Sequence, residues 1–199
     1  MHSAEAGTDG VIRCGWGNAG AEYAAYHDEE WGRPIGEDGR LFEKLCLEGF
    51  QSGLSWITIL RKRDSFRDVF KGFDIEQVAR FGDHDVNRLL GDPRIVRHRG
   101  KIRSTINNAQ RSLDVIADVG SLGALVWSFE PAPAPPTAAP ITRESAALAK
   151  ELKRRGFTFV GPTTAYAFMQ SVGMVNDHAE ACAVRIAVEV DRREFVRPR

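Results

Sequence analysis

Two cysteine and histidine pairs stand at opposite ends of the chain, Cys14 with His27 and His178 with Cys182, and these residue types can hold a transition metal. The second pair is spaced i, i+4, which on a helix puts both side chains on one face at a separation that a tetrahedral ion can bridge. Four protein ligands leave no open position for a catalytic water, so an ion held this way is structural and staples the two ends of the fold together. The same residue types also serve in packing and on surfaces. Twelve residues separate Cys14 from His27, which fits no common short zinc knuckle, so the pairs alone leave both readings open.

The elements that must position these residues read as helices. Leu41, Phe42 and Leu45, then Trp56, Ile59 and Leu60, recur at three and four, with an interruption at Gly49 and Gly53 that predicts two short helices or one broken one. Asp74 and Asp83 are expected N-caps, a long helix is expected within Ile95 to Ile116, and Thr142 is expected to cap a helix that stops at Gly156. The run 131–140, PAPAPPTAAP, reads as an extended, exposed connector. Strand signals are sparse, so the expected fold is all-α, an irregular multi-helix assembly.

Bulk properties set limits. A chain of 199 residues can bury a real core as one domain. Three cysteines with no close-spaced framework predict a reducing compartment, and Cys46, in an apolar run, reads as a core residue. There is no signal-peptide pattern and no apolar stretch near the ~20 residues of a membrane span, so a soluble cytoplasmic protein is expected. The net charge is zero, with 27 basic and 27 acidic residues, but the distribution is uneven. Arg94, Arg97, Arg99, Lys101, Arg103 and Arg111 form one basic run, and Lys150, Lys153, Arg154 and Arg155 a second. Each cluster reads either as a solvated helix face or as a phosphate-binding footprint.

The stretch Lys153 to Gly173 holds a helix end at Gly156, a short apolar turn, and a new helix opening at Pro162-Thr163-Thr164. Gly161 can bring bare backbone amides close to a phosphate at a helix N-terminus. This pattern, about 150–173, is that of a helix-hairpin-helix, which grips a DNA backbone without reading sequence; a plain αα-hairpin is the alternative.

RCGW at 13–16, YHDEEWG at 26–32, LEGFQSGLSW at 47–56 and VNDH at 175–178, taken with the hairpin, resemble the 3-methyladenine DNA glycosylase I family of the helix-hairpin-helix superfamily. The resemblance runs from about Val11 to Val184. It implies a single domain over 11–188, with 1–10 and 189–199 as mobile tails, and one structural Zn2+ on Cys14, His27, His178 and Cys182. It implies a monomer that acts on double-stranded DNA containing alkylated adenine, without a nucleotide cofactor. Trp16, Tyr23, Tyr26, Glu48 and Trp56 match the family's base pocket, with Glu48 accepting hydrogen bonds from the flipped base. Gln51, Gly53 and Leu54 match the loop that enters the duplex, where Phe50 replaces an expected glutamine, and Gly161, Thr163 and Thr164 match the backbone grip. Trp31 and Trp127 are expected in the core.

Two departures from the wider superfamily bear on mechanism. No lysine follows the hairpin glycine, so Schiff-base strand cleavage is not expected. Asn176 stands where many members carry an aspartate, which removes the usual carboxylate for activating water, and Asp177 is expected to be structural. An adenine methylated at N3 is already cationic and leaves as a neutral base, so general acid catalysis is not required. What remains is to select that base and hold it out of the duplex, a task for aromatic walls and one carboxylate. A non-catalytic DNA-binding module would need no such pocket.

Overall fold

The computed structural model describes residues 3–199. Ten α-helices dominate the described residues, together with one two-stranded sheet that the all-α expectation did not include. The strands are β1 (Ala4–Ala6) and β2 (Ile12–Cys14), antiparallel with Glu5 opposite Arg13. The helices are α1 (Ala21–Glu29), α2 (Asp38–Gln51), α3 (Trp56–Val69), α4 (Ile75–Ala79), α5 (Asp83–Gly91), α6 (Arg99–Val119), α7 (Leu122–Trp127), α8 (Arg143–Arg154), α9 (Pro162–Ser171) and α10 (Arg185–Glu194). None is long and apolar enough to cross a membrane.

Helix α2 is the axis of the molecule. Every residue from Leu41 to Phe50 is buried, so beyond its first turn the helix has no solvent face; α3, α6, α7 and α9 pack around it. Phe50 belongs to this core, in ring contact with Phe66 and Phe70. Cys46 and Trp127 are buried as expected. The apolar repeat that reads as two helices does give two: α2 and α3 are separated by a turn in which Gly53 takes a φ of 81°.

Helix starts follow local polar chemistry. The Asp74 carboxylate accepts from the Gln77 N–H at 2.8 Å, and Thr142 and Ser145 exchange side-chain-to-backbone bonds at the start of α8. Asp83 does not cap α5. Gly82 holds that position, and Asp85 reaches back to its N–H at 3.2 Å, because the chain enters the helix one residue earlier. The long helix starts at Arg99, with the His98 ring accepting from the Lys101 N–H at 3.1 Å.

Of the terminal segments expected to be mobile tails, residues 1 and 2 lie outside the described residues, and described parts of both are built into the fold. Residues 4–6 are a strand, α10 runs to Glu194, Phe195 packs on Trp127 with ring centroids 4.6 Å apart, and Arg197 pairs with Glu130 at 2.8 Å. The connector 131–140 is mostly exposed without regular structure, and the Thr137 N–H donates to Asp177 at 3.2 Å. Asp177 is structural: it also accepts from Tyr166 at 2.5 Å and Gln170 at 2.8 Å.

The turn between α8 and α9 is bolted to α6. Asn108 accepts from the Thr158 N–H at 2.9 Å and donates to the Thr158 carbonyl at 3.0 Å, while Ser104 donates to that carbonyl at 3.1 Å. Asn108 is buried, so removing its amide strands a backbone donor away from water. Asn108→Ala is expected to cost about 2–3 kcal/mol and to speed amide exchange at Thr158; chemical denaturation and hydrogen exchange check both.

Candidate active site and metal centre

The N- and C-terminal regions meet behind α1. Ligand atoms of Cys14, His27 and Cys182 all lie within 4.8 Å of one another, and all three side chains are buried. Cys182 Sγ stands 3.6 Å from His27 Nε2. Ligands about 2.0–2.3 Å from one tetrahedral ion stand about 3.3–3.8 Å apart, so this spacing is that of a coordination shell. The cluster could hold a metal ion.

His178 lies beside this trio. Its ring centroid is 4.9 Å from that of His27, and Nε2 is buried with no hydrogen-bond partner. It stands outside the 4.8 Å cluster, but a buried, unpaired ring nitrogen beside that cluster has the chemistry of a fourth ligand. Two glycines make room for the rings: a Cβ on Gly17 would stand 2.9 Å from His27, and one on Gly32 2.8 Å from His178. The helical i, i+4 geometry expected for His178 and Cys182 is absent. Residues 176–183 are mostly irregular, with short turns at 180–181 and from 183, and Arg185 donates to the carbonyls of Asn176 and His178.

Neighbouring groups orient each imidazole. Asp28 pairs with His27 Nδ1 at 2.7 Å, which directs Nε2 at the sulfurs. Partial burial would raise the Asp28 carboxyl, but hydrogen bonds from Arg13 and His27 outweigh it and hold it below the usual range. Asn176 Oδ1 is 2.9 Å from His178 Nδ1, and the Asn176 amide group donates to the Arg185 carbonyl and to Glu189. That network sets Oδ1 as an acceptor, so His178 carries its proton on Nδ1 and leaves Nε2 free as a lone pair. Burial, and then the nearby His27, pulls the His178 pKa down to about 4, which keeps the ring neutral as a ligand must be. Cys182 is pushed toward thiolate by the hydrogen bond from Cys14, which raises Cys14 in turn.

In front of this cluster opens a cavity of about 630 Å³. All five aromatic and acidic residues expected in a base pocket line it: Trp16, Tyr23, Tyr26, Glu48 and Trp56, joined by Gln51. The short 3-10 turn Gly15–Asn18 carries Trp16, α1 carries the two tyrosines, α2 carries Glu48 near its C-terminal end, and Trp56 opens α3. Trp16 meets Tyr23 edge-on at 5.7 Å, and Tyr26 lies 5.2 Å from Trp56. Tyr23 OH accepts from the Ile57 N–H at 3.0 Å, which ties α1 to the start of α3. Trp56 keeps a buried indole N–H without a partner among the described residues.

Glu48 is the unusual group. It is 5% exposed and accepts no hydrogen bond from any described residue. Burial pushes its pKa up to about 7, against the opposing pull of Lys44 one turn earlier. Lys44 is buried as well, which lowers its own pKa to about 8; its ammonium lies 3.6 Å from Glu30 and 5.0 Å from the Tyr26 ring centre. Glu30 in turn accepts from both terminal nitrogens of Arg63 at 2.7 Å.

Trp31 is buried in the core as expected, in the smaller cluster with Cys14, Tyr26 and Cys182, and there it also forms a wall between the two sites. It lines the cavity, meets Trp16 edge-on at 5.1 Å, and stands 4.6 Å from the His178 ring. Glu5 also lines the cavity, brought there by the β1–β2 hairpin. The Asp9-Gly10 pair, a turn signal, was the one local mark of that hairpin.

The remaining expected residues lie on the adjoining surface. Gly53 and Leu54 form the tip of the α2–α3 turn, with Leu54 exposed, and Lys101 pins that turn by donating to the carbonyls of Phe50 and Ser52 at 2.8 and 2.6 Å. Gly161 is the N-cap of α9, with open space where a Cβ would be; Thr163 is exposed and Thr164 half-buried. Half of the residues in the basic runs are ion-paired: Arg94 pairs with Asp92 and Asp68, Arg103 with Asp83, Arg111 with Asp114, Arg154 with Glu151, and Arg155 with Glu151 and Asp118. Arg97, Lys150 and Lys153 have no acidic partner among the described residues, and Arg99 has only Asn87.

This fold is shared. The methyladenine glycosylase family model matches residues 16–186, and the chain belongs to that family. It is 46% identical over 177 residues to the DNA-3-methyladenine glycosylase 1 of Escherichia coli, covering 85% of this chain and 95% of that one. To the DNA-3-methyladenine glycosylase of Haemophilus influenzae it is 41% identical over 86% and 97% of the two chains. A crystal structure of 3-methyladenine DNA glycosylase I superposes with a TM-score of 0.83 at 46% identity, over 86% and 98% of the chains. The Staphylococcus aureus enzyme, solved for the structural basis of 3-methyladenine recognition, scores 0.83 at 33% identity over 86% and 95%.

The orienting role of Asn176 can be measured. Asn176→Ala keeps every candidate ligand, so metal affinity is expected to fall about 10–100-fold rather than vanish, whereas Cys182→Ala should abolish tight binding. Competition against a chromophoric chelator reads both.

Proposed function

We propose that this chain is a monofunctional DNA glycosylase that excises N3-methyladenine from alkylated duplex DNA in base-excision repair. The observation that carries this reading is an unpaired, buried carboxylate, Glu48, at an aromatic cavity large enough for a purine, in a chain of this family. A non-catalytic DNA-binding module gains nothing from such a group, since an unpaired buried carboxylate costs stability.

The flipped base enters between Trp16, Tyr26 and Trp56, whose ring faces favour a cation. Its positive charge draws Glu48 into the ionised form, and the carboxylate accepts from the adenine edge and favours positive charge building up on the sugar. The base departs neutral. Gln51, Gly53 and Leu54 enter the duplex, with Leu54 filling the vacated stack, and Gly161, Thr163 and Thr164 hold the backbone as a helix-hairpin-helix. Arg97, Arg99, Lys150 and Lys153 are the cations left free to attract phosphate.

Cys14, His27, His178 and Cys182 would hold one zinc ion, as a Cys2His2 donor set suits that metal. When bound, it supplies no reaction chemistry and only fixes the N- and C-terminal regions to each other. The working unit is a monomeric, cytoplasmic single domain over residues 11–188, with the terminal segments folded against it.

Incubating the purified protein with methylated genomic DNA should release free 3-methyladenine, and borohydride should trap no covalent protein–DNA adduct. Release of no methylated purine defeats the proposal; a robust adduct defeats its monofunctional part.

Glu48→Gln is expected to lower excision about 10–100-fold, through loss of a charge-assisted hydrogen bond, with DNA binding and metal content retained. Because the Glu48 pKa is raised to about 7, its charged form is lost as pH falls through 7, so kcat/KM of the parent should decline there and that of Glu48→Gln should not. The sign for stability is opposite. A buried carboxyl with a raised pKa destabilises the fold progressively above its unfolded value of about 4.5, and fully above about 7, so Glu48→Gln should be more stable than the parent at pH 8 by roughly 3 kcal/mol and no more stable at pH 4.

A further inference from the structure

Phe159 sits at the tip of the α8–α9 turn with a φ of 56°, in the left-handed region that a bulky side chain rarely adopts. Lys71 and Phe73 share that conformation, but the Phe73 ring is fully buried, so packing offsets its strain. The Phe159 side chain is 39% exposed, and among the described residues it is the one aromatic in the set of exposed large apolar side chains. A glycine at this position would be unstrained but would give up the ring's packing against His98 and the start of α6.

What holds the strained backbone is the pair of bonds from Asn108 to Thr158 on one side and the start of α9 on the other. The turn lies against Gly49, one residue beyond Glu48, and Phe159, Gly49 and Lys101 line one crevice. The ring meets His98 edge-on at 6.2 Å, next to Arg97 and Arg99, which have no acidic partners, and two residues before the bare amide at Gly161. An exposed aromatic flanked by free cations and an open helix N-terminus has the chemistry of a nucleic-acid surface rather than of a protein interface.

We propose that Phe159 is a DNA-contacting residue, its ring packed against a deoxyribose of the strand whose phosphates the hairpin holds. This rests on the glycosylase reading. The contact is apolar and independent of base identity, since every nucleotide presents the same sugar carbons. It also sets the spacing between the gripped strand and Glu48, because the same turn rests on α2.

The test is tight because the site is strained. Gly and Asn both tolerate a positive φ, so in Phe159→Gly and Phe159→Asn the relief of strain offsets part of the lost packing, and thermal melting should show both variants folded. Phe159→Leu keeps an apolar side chain at the same backbone cost. Binding to a short duplex carrying an abasic-site analogue should weaken about tenfold in the Gly and Asn variants and stay within about threefold of the parent in the Leu variant. Binding of free 3-methyladenine, followed by tryptophan fluorescence, should be unchanged in all three. Gly and Asn variants that bind duplex as tightly as the parent overturn the proposal, and so does loss of free-base binding together with duplex binding, which would make Phe159 a packing residue. Failure of the glycosylase reading shows separately, as a parent protein that releases no base from methylated DNA.

Discussion

The structure depends on the burial of α2 on every side from Leu41 to Phe50. A helix without a solvent face must be enclosed on every side, and the enclosing helices are those that carry the rest of the site. It also forces its own polar residues into the interior. Glu43 meets Arg67 at 2.7 Å, and Lys44 joins the Glu30–Arg63 pair. Glu48 is left without a partner, and it is the one that faces the cavity. The stability lost at that position is a ground-state cost that a cationic ligand relieves.

The cavity and the metal cluster are one construction. Trp16 contacts His27 at 5.1 Å and Trp31 contacts His178, so aromatic walls of the pocket rest on the candidate ligands. Anything that loosens the cluster moves the cavity wall.

Much of this was legible in the residues. Capping by Asp74 and Thr142, the break between α2 and α3 and the buried Cys46 follow from local rules, and the pocket residues came from motifs that the fold does bring to one cavity. What was not legible depends on distant partners. The carbonyls around His178 are bonded by Arg185, Arg94 and Arg103 are neutralised by acids on other elements, and Trp31 is placed as a wall by rings more than a dozen residues away. The left-handed backbone at Phe159 has no sequence mark, since nothing in an apolar run announces a φ that glycine would normally supply.

Cys14 and Cys182 lie close in space and 168 positions apart in the chain, and the Ala183 N–H closes the join by donating to the Ile12 carbonyl at 2.8 Å. During synthesis the early half of the cluster therefore waits for the late half, roughly 10–30 s at ordinary ribosomal speeds. Throughout that wait Cys14 is a free thiol and the aromatic wall has nothing behind it. A nascent chain that has not yet reached Cys182 lacks one corner of that cluster, so the wall behind the cavity is among the late parts of the fold to close.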